Sequence, residues 1–148
     1  MKQKFVLDIN TIIFAQGYCD AKGNTDFTSA TLVSLIAQNC HRIVCNNSLK
    51  KKYIENSKDL RFLRLMKHLM YNEEKCENRE YLPHYPFEKD LPPDDVEIVR
   101  LAVCAQAIFV TSDLRLRAKL QELKIEEGFG LKVEDSLTAQ SQARNVTS

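Results

Sequence analysis

Two apolar runs of this chain end in a carboxylate just where helical character begins. Lys4-Phe5-Val6-Leu7 stops at Asp8, and Ile108-Phe109-Val110-Thr111 passes through Ser112 to Asp113. Short runs of this kind, bounded by polar residues, read as buried strands. Ile12, Ile13 and Phe14 follow the first directly, and a helix over 114–123 follows the second. A third run, Arg42-Ile43-Val44-Cys45, precedes Asn46 and Asn47, either of which is placed to cap the next helix. Strands alternating with helices form βαβ units, which require a mainly parallel sheet covered on both faces. The chain is therefore expected to be α/β, with three layers in the order helix, sheet, helix.

The remaining segments fit that plan. Residues 17–26 read as a loop, with Thr25 or Asp26 capping a helix that carries Leu32, Val33, Leu35 and Ile36. A helix over about 60–70 buries Phe62, Leu65, Met66 and Leu69, while Arg61, Arg64, Lys67 and His68 form its basic outer face. Residues 71–93 hold all four prolines and read as a long connection with room for one short strand or turn. Residues 94–106 are apolar almost all round, the pattern of a central helix. Gly128 and Gly130 interrupt the chain before a last short strand over 131–133. The expectation is one domain over 1–135 and a polar, frayed tail over 136–148.

Composition removes several classes. With 148 residues, 44% hydrophobic and 28% charged, the chain can bury one sizeable core and is neither disordered nor fibrous. No run approaches the roughly 18 apolar residues of a membrane span, and Asp8 interrupts the first apolar run too early for a secretory leader. A cytoplasmic location is expected. Five cysteines without a C-x-x-C pair argue for reduced thiols over a disulfide framework or zinc ribbon. The net charge of +1 leaves any polyanionic partner to local basic clusters.

Ligand sites of open parallel sheets lie at the carboxyl ends of their strands. Asp8 and Asp113 both belong there. Asp94 and Asp95 open the helix that feeds the strand at 108–111. That helix runs antiparallel to its strand, so its N-terminus lies at the same edge. Asp8, Asp95 and Asp113 can thus share one pocket, with Asp94 beside Asp95 as its alternate. Each is also a preferred helix cap, and capping alone accounts for any one of them. Together they form a repelling set of hard oxygen ligands, which a Mg²⁺ or Mn²⁺ ion would neutralise.

Over residues 4–134 these features resemble the PIN-domain ribonucleases, which include VapC-type toxins of toxin-antitoxin modules. Phe5-Val6-Leu7-Asp8-Ile9-Asn10-Thr11 is similar to the family's first motif. Asp95-Val96-Glu97-Ile98-Val99-Arg100-Leu101-Ala102 is similar to its third, and Phe109-Val110-Thr111-Ser112-Asp113 to its fourth. The resemblance implies metal-dependent hydrolysis of single-stranded RNA by an activated water. In that reading Asp8, Asp95 and Asp113 hold Mg²⁺ or Mn²⁺, while Asn10, Asp94, Thr111 and Ser112 orient carboxylates, water or phosphate. A homodimer and an antitoxin or other protein partner are implied on the same ground.

The second motif departs from the family. Where a Glu is usual before an aromatic residue, this chain has Lys52 before Tyr53. Glu55, one turn later, is the candidate substitute catalytic acid. Lys50, Lys51, Lys52, Arg115 and Arg117 are candidate phosphate contacts. The alternative is a PIN-like RNA-binding or protein-binding module that no longer cuts, because the usual Glu is replaced. A haloacid-dehalogenase-like phosphatase, suggested by Leu7-Asp8-Ile9-Asn10-Thr11, requires a titratable acid where Asn10 stands.

Overall fold

The computed structural model describes residues 2–144. Along the chain, β1 (Lys4–Leu7) leads into α1 (Ile9–Gly17) and α2 (Thr28–Gln38), and β2 (Arg42–Cys45) into α3 (Asn47–Asn56) and α4 (Leu60–Tyr71). Then β3 (Cys76–Asn78), a 3₁₀ turn (Pro86–Asp90) and α5 (Pro93–Ala105) precede β4 (Ile108–Val110). The chain continues through α6 (Leu114–Glu122), α7 (Ile125–Phe129), β5 (Val133–Glu134) and α8 (Ser136–Ala143).

The strands form one sheet in the order β3-β2-β1-β4-β5. Every pairing is parallel, with Phe5 registered against both Ile43 and Ile108. Phe5, Val6 and Leu7 are fully buried, as a central strand covered on both faces requires. The chain steps one way from β1 to β3, then reverses to β4 and β5. With right-handed crossovers, that reversal puts the helices of the two legs on opposite faces. The architecture is therefore three-layered α/β/α. It also creates a switch point, where β1 and β4 lie side by side and their following helices leave in opposite directions.

Several expectations are refined by packing. Asp26 does serve the start of α2, accepting from the Thr28 N–H at 2.8 Å, although the helix begins only at Thr28. The long connection supplies the edge strand β3. It is tied down by Tyr85 stacked on Phe87 and by both rings packing edge-on against Phe129. The last strand falls at Val133–Glu134 rather than 131–133.

The frayed tail over 136–148 is corrected over its described part. Ser136–Ala143 is a helix capped by Asp135, whose Oδ1 accepts from the Thr138 N–H at 2.8 Å. Its small residues let it sit close on α2. Ala139 and Ala143 are fully buried, and the Ser29 and Ser136 hydroxyls meet at 2.9 Å. Asn39 Nδ2 donates to the Ala143 carbonyl at 2.8 Å. Residues 145–148 lie outside the described residues. No helix among the described residues is long and apolar enough to cross a membrane.

Candidate active site

Asp8 emerges from the carboxyl end of β1 at the switch point and is only 9% exposed. Its Oδ1 accepts from the Ile9 N–H at 2.8 Å, which caps α1. Its Oδ2 accepts from the Thr111 hydroxyl at 2.7 Å. Thr111, fully buried beyond β4, also accepts from the Asp113 N–H at 3.1 Å. One hydroxyl thus links two acidic segments. Asp113 in turn caps α6, its Oδ1 accepting from the N–H groups of Arg115 and Leu116 at 3.0 and 3.1 Å. Both capping readings are therefore realised, and they orient the carboxylates that the sheet brings together.

The groups sense one another's charge. Burial first, then the Asp113 carboxylate, pushes the Asp8 carboxyl above its ordinary range, against the hydrogen bonds from Thr111 and Ile9. Asp95, half-buried in the first turn of α5, is pushed up by burial and by the charges of Asp8, Asp113 and Asp94. Lys52 pulls it back down. Among the described residues Asp8 has only neutral donors as hydrogen-bond partners and makes no ion pair, so no cation there compensates its charge. Hard, mutually repelling carboxylates suit Mg²⁺ or Mn²⁺ in their chemistry. They are not drawn up to coordination distance: among the described residues, no group of three or more His, Cys, Asp or Glu side chains is placed to hold a metal ion.

The other candidates divide. Lys52 is near enough for its charge to act on Asp95, although no ion pair joins the two among the described residues. Asp94 is exposed and contributes its charge alone. Asn10 is exposed on the first turn of α1. Ser112 lines a separate depression with Asp26, Thr28 and Ser136. Glu55 is not brought to the aspartates. It is exposed and lines a depression with Asn47, Lys50, Lys51, Ile54 and Tyr71, on the flank of α3 next to the end of α4. Lys52, three residues earlier and about 60° round the helix, instead lines a depression with Asn46, Leu49, Glu97 and Ile98, on the flank that packs toward α5. Arg115 is exposed beside Asp113, whereas Arg117 lines a depression with Glu126, Glu127 and Val133.

Two contributors escaped the sequence reading. Tyr53 is fully buried, donates its hydroxyl to the Leu7 carbonyl and accepts from the Leu7 N–H at 3.2 Å. Register pairs β1 with β2 only at Lys4 and Phe5, so this hydroxyl satisfies the strand end that delivers Asp8. Glu97 accepts from Asn46 Nδ2 at 3.0 Å and from the Ser48 hydroxyl at 3.5 Å, and it shares a depression with Lys52. A carboxylate among the apolar positions Val96, Ile98 and Val99 was the available signal. It joins α5 to the N-terminal end of α3, where the helix dipole favours a negative charge. Compared with family models and with curated proteins, the chain matches none, so the site geometry carries the functional reading.

Proposed function

We propose that the protein is a metal-dependent ribonuclease of the PIN-like kind, acting on single-stranded RNA. The observation that carries this reading is the convergence of Asp8, Asp95 and Asp113 at the switch point, close enough for the Asp113 charge to push Asp8 up and for the charges of Asp8 and Asp113 to push Asp95 up. Asp8, Asp95 and Asp113 would hold Mg²⁺ or Mn²⁺, which when bound supplies Lewis-acid polarisation of phosphate and an activated water. Thr111 positions Asp8 through its hydroxyl and Asp113 through the backbone N–H, so both carboxylates are orientated before an ion arrives. Lys52, whose charge reaches Asp95, is suited to meet the phosphate that enters this acidic edge.

The test is cleavage of end-labelled single-stranded RNAs in Mn²⁺, in Mg²⁺ and in EDTA, alongside Asp113→Asn purified identically. Cutting that requires metal and disappears in the variant is expected. Cutting that survives EDTA or the substitution overturns the reading. Lys52, standing before Tyr53 where a Glu is usual and acting on Asp95 by its charge, favours a second reading, a binding module that no longer cuts. Under that reading Lys52→Glu binds Mn²⁺ several-fold more tightly and gains metal-dependent cutting, since a competing cation becomes a ligand.

A further inference from the structure

The depression around Glu55 has a chemistry of its own. It measures about 260 Å³ and is lined by Asn47, Lys50, Lys51, Ile54 and Glu55 of α3, with Tyr71 closing it from the last residue of α4. Tyr71 is 63% exposed, an aromatic ring held in solvent at a helix end. The Lys50 ammonium stands 5.4 Å from the ring centroid. Glu55, a carboxylate among lysines, makes no ion pair or hydrogen bond among the described residues. The feature combines a flat ring, two ammonium groups and one free carboxylate facing a common space.

We propose that this depression is a nucleobase subsite for single-stranded RNA, selective for guanine. A base stacking on Tyr71 replaces the weak, solvent-screened contact with Lys50 and frees that ammonium for the adjoining phosphate. Guanine alone among the four bases presents two adjacent N–H donors, N1–H and the N2 amino group, on its Watson–Crick edge. Those donors match the two oxygens of Glu55, and unpaired RNA offers that edge. An acidic peptide would also be drawn to Lys50 and Lys51, but it would place its carboxylates against Glu55. Lys50, Lys51 and Lys52 are consecutive, so their charges wrap α3 from this depression to the flank toward α5, where the Lys52 charge reaches Asp95. A strand seated here is guided along them toward the acidic edge. The inference rests on RNA being the ligand and is independent of hydrolysis.

The experiment is fluorescence anisotropy in EDTA, where no metal-dependent cutting occurs. It uses two labelled uridine-rich octamers that differ at one central position, guanine or adenine. The intact protein is expected to prefer the guanine octamer by about five-fold or more. Tyr71→Ala should weaken both by about ten-fold. Glu55→Gln should abolish the preference without weakening the adenine octamer. Both side chains are exposed, so the variants keep the fold. Unchanged binding by Tyr71→Ala, a preference that survives Glu55→Gln, or displacement of the RNA by oligoglutamate at equal charge concentration would each overturn the subsite. If these shifts appear and Mn²⁺ supports no cleavage, the nuclease reading alone fails. If Mn²⁺ supports cleavage and Tyr71→Ala binds as the parent does, the subsite alone fails.

Discussion

Asp8 combines two demands that oppose each other. As the cap of α1 and partner of Thr111 it stabilises the switch point, yet its charge is buried near that of Asp113 with no ion pair among the described residues. Because burial raises its pKa in the folded state, folding favours the protonated form. The cost is absent at low pH and grows as the pH rises from the ordinary value of 3.8 through the folded one. Asp8→Asn keeps an oxygen for the Ile9 N–H and removes the charge. The variant should therefore melt higher than the parent at pH 7, with the gap closing toward pH 3.5, and should bind Mn²⁺ at least ten-fold more weakly. Thermal melts across pH and a Mn²⁺ titration check both halves. A lower melting temperature at pH 7 would show that capping outweighs repulsion. At this scale the aspartates were legible, because strand ends and helix starts mark themselves chemically. Glu55 was misplaced because three residues along a helix turn a side chain by about 60° from a full circle, which sequence proximity does not convey.

Among the elements, α3 shows how one helix can serve three neighbours. Asn46 caps it and reaches Glu97 of α5, Tyr53 buries itself under β1, and Lys50 meets Tyr71 of α4. Tyr53→Phe would leave the Leu7 N–H and carbonyl without this partner while preserving the ring. The expected loss is about 1–3 kcal/mol of stability by urea denaturation, with weaker Mn²⁺ binding as the end of β1 loosens. A fully stable variant would mean that another group satisfies Leu7. The C-terminal helix α8 makes a different demand, close approach to α2 across small side chains. Ala139→Leu has no room there and should cost about 1–3 kcal/mol on the same assay. That this segment is a docked helix was illegible in Ser136-Leu137-Thr138-Ala139-Gln140, which has no strong apolar stripe. Its order comes from a tertiary contact with a helix about a hundred residues earlier.

Over the whole molecule, acid stability sets one strongly held pair against the carboxylates of the switch point. Glu88, in the 3₁₀ turn, accepts from Arg100 of α5 through both oxygens at 2.9 and 2.6 Å, and the Arg100 hydrogen bonds hold its carboxyl down at about 2. A lowered pKa contributes stability above the ordinary value of 4.5 and loses it as the pH falls toward 2. Glu88→Gln should therefore destabilise the protein at pH 7 by about 2 kcal/mol and flatten its acid limb between pH 4.5 and 2. An unchanged acid limb would assign that limb to other carboxylates. This pair anchors the long connection after β3 onto α5, the helix that presents Asp95. By itself the sequence determined the alternation of strands and helices, the parallel sheet and the acidic ends of β1 and β4, because periodicity and capping are written in neighbouring residues. Only the tertiary structure decided that Thr111 joins Asp8 to Asp113, that Lys52 lies toward α5 while Glu55 turns toward Tyr71, and that α8 docks on α2. Those outcomes depend on helix rotation and on contacts between residues far apart in the chain, which no local pattern encodes.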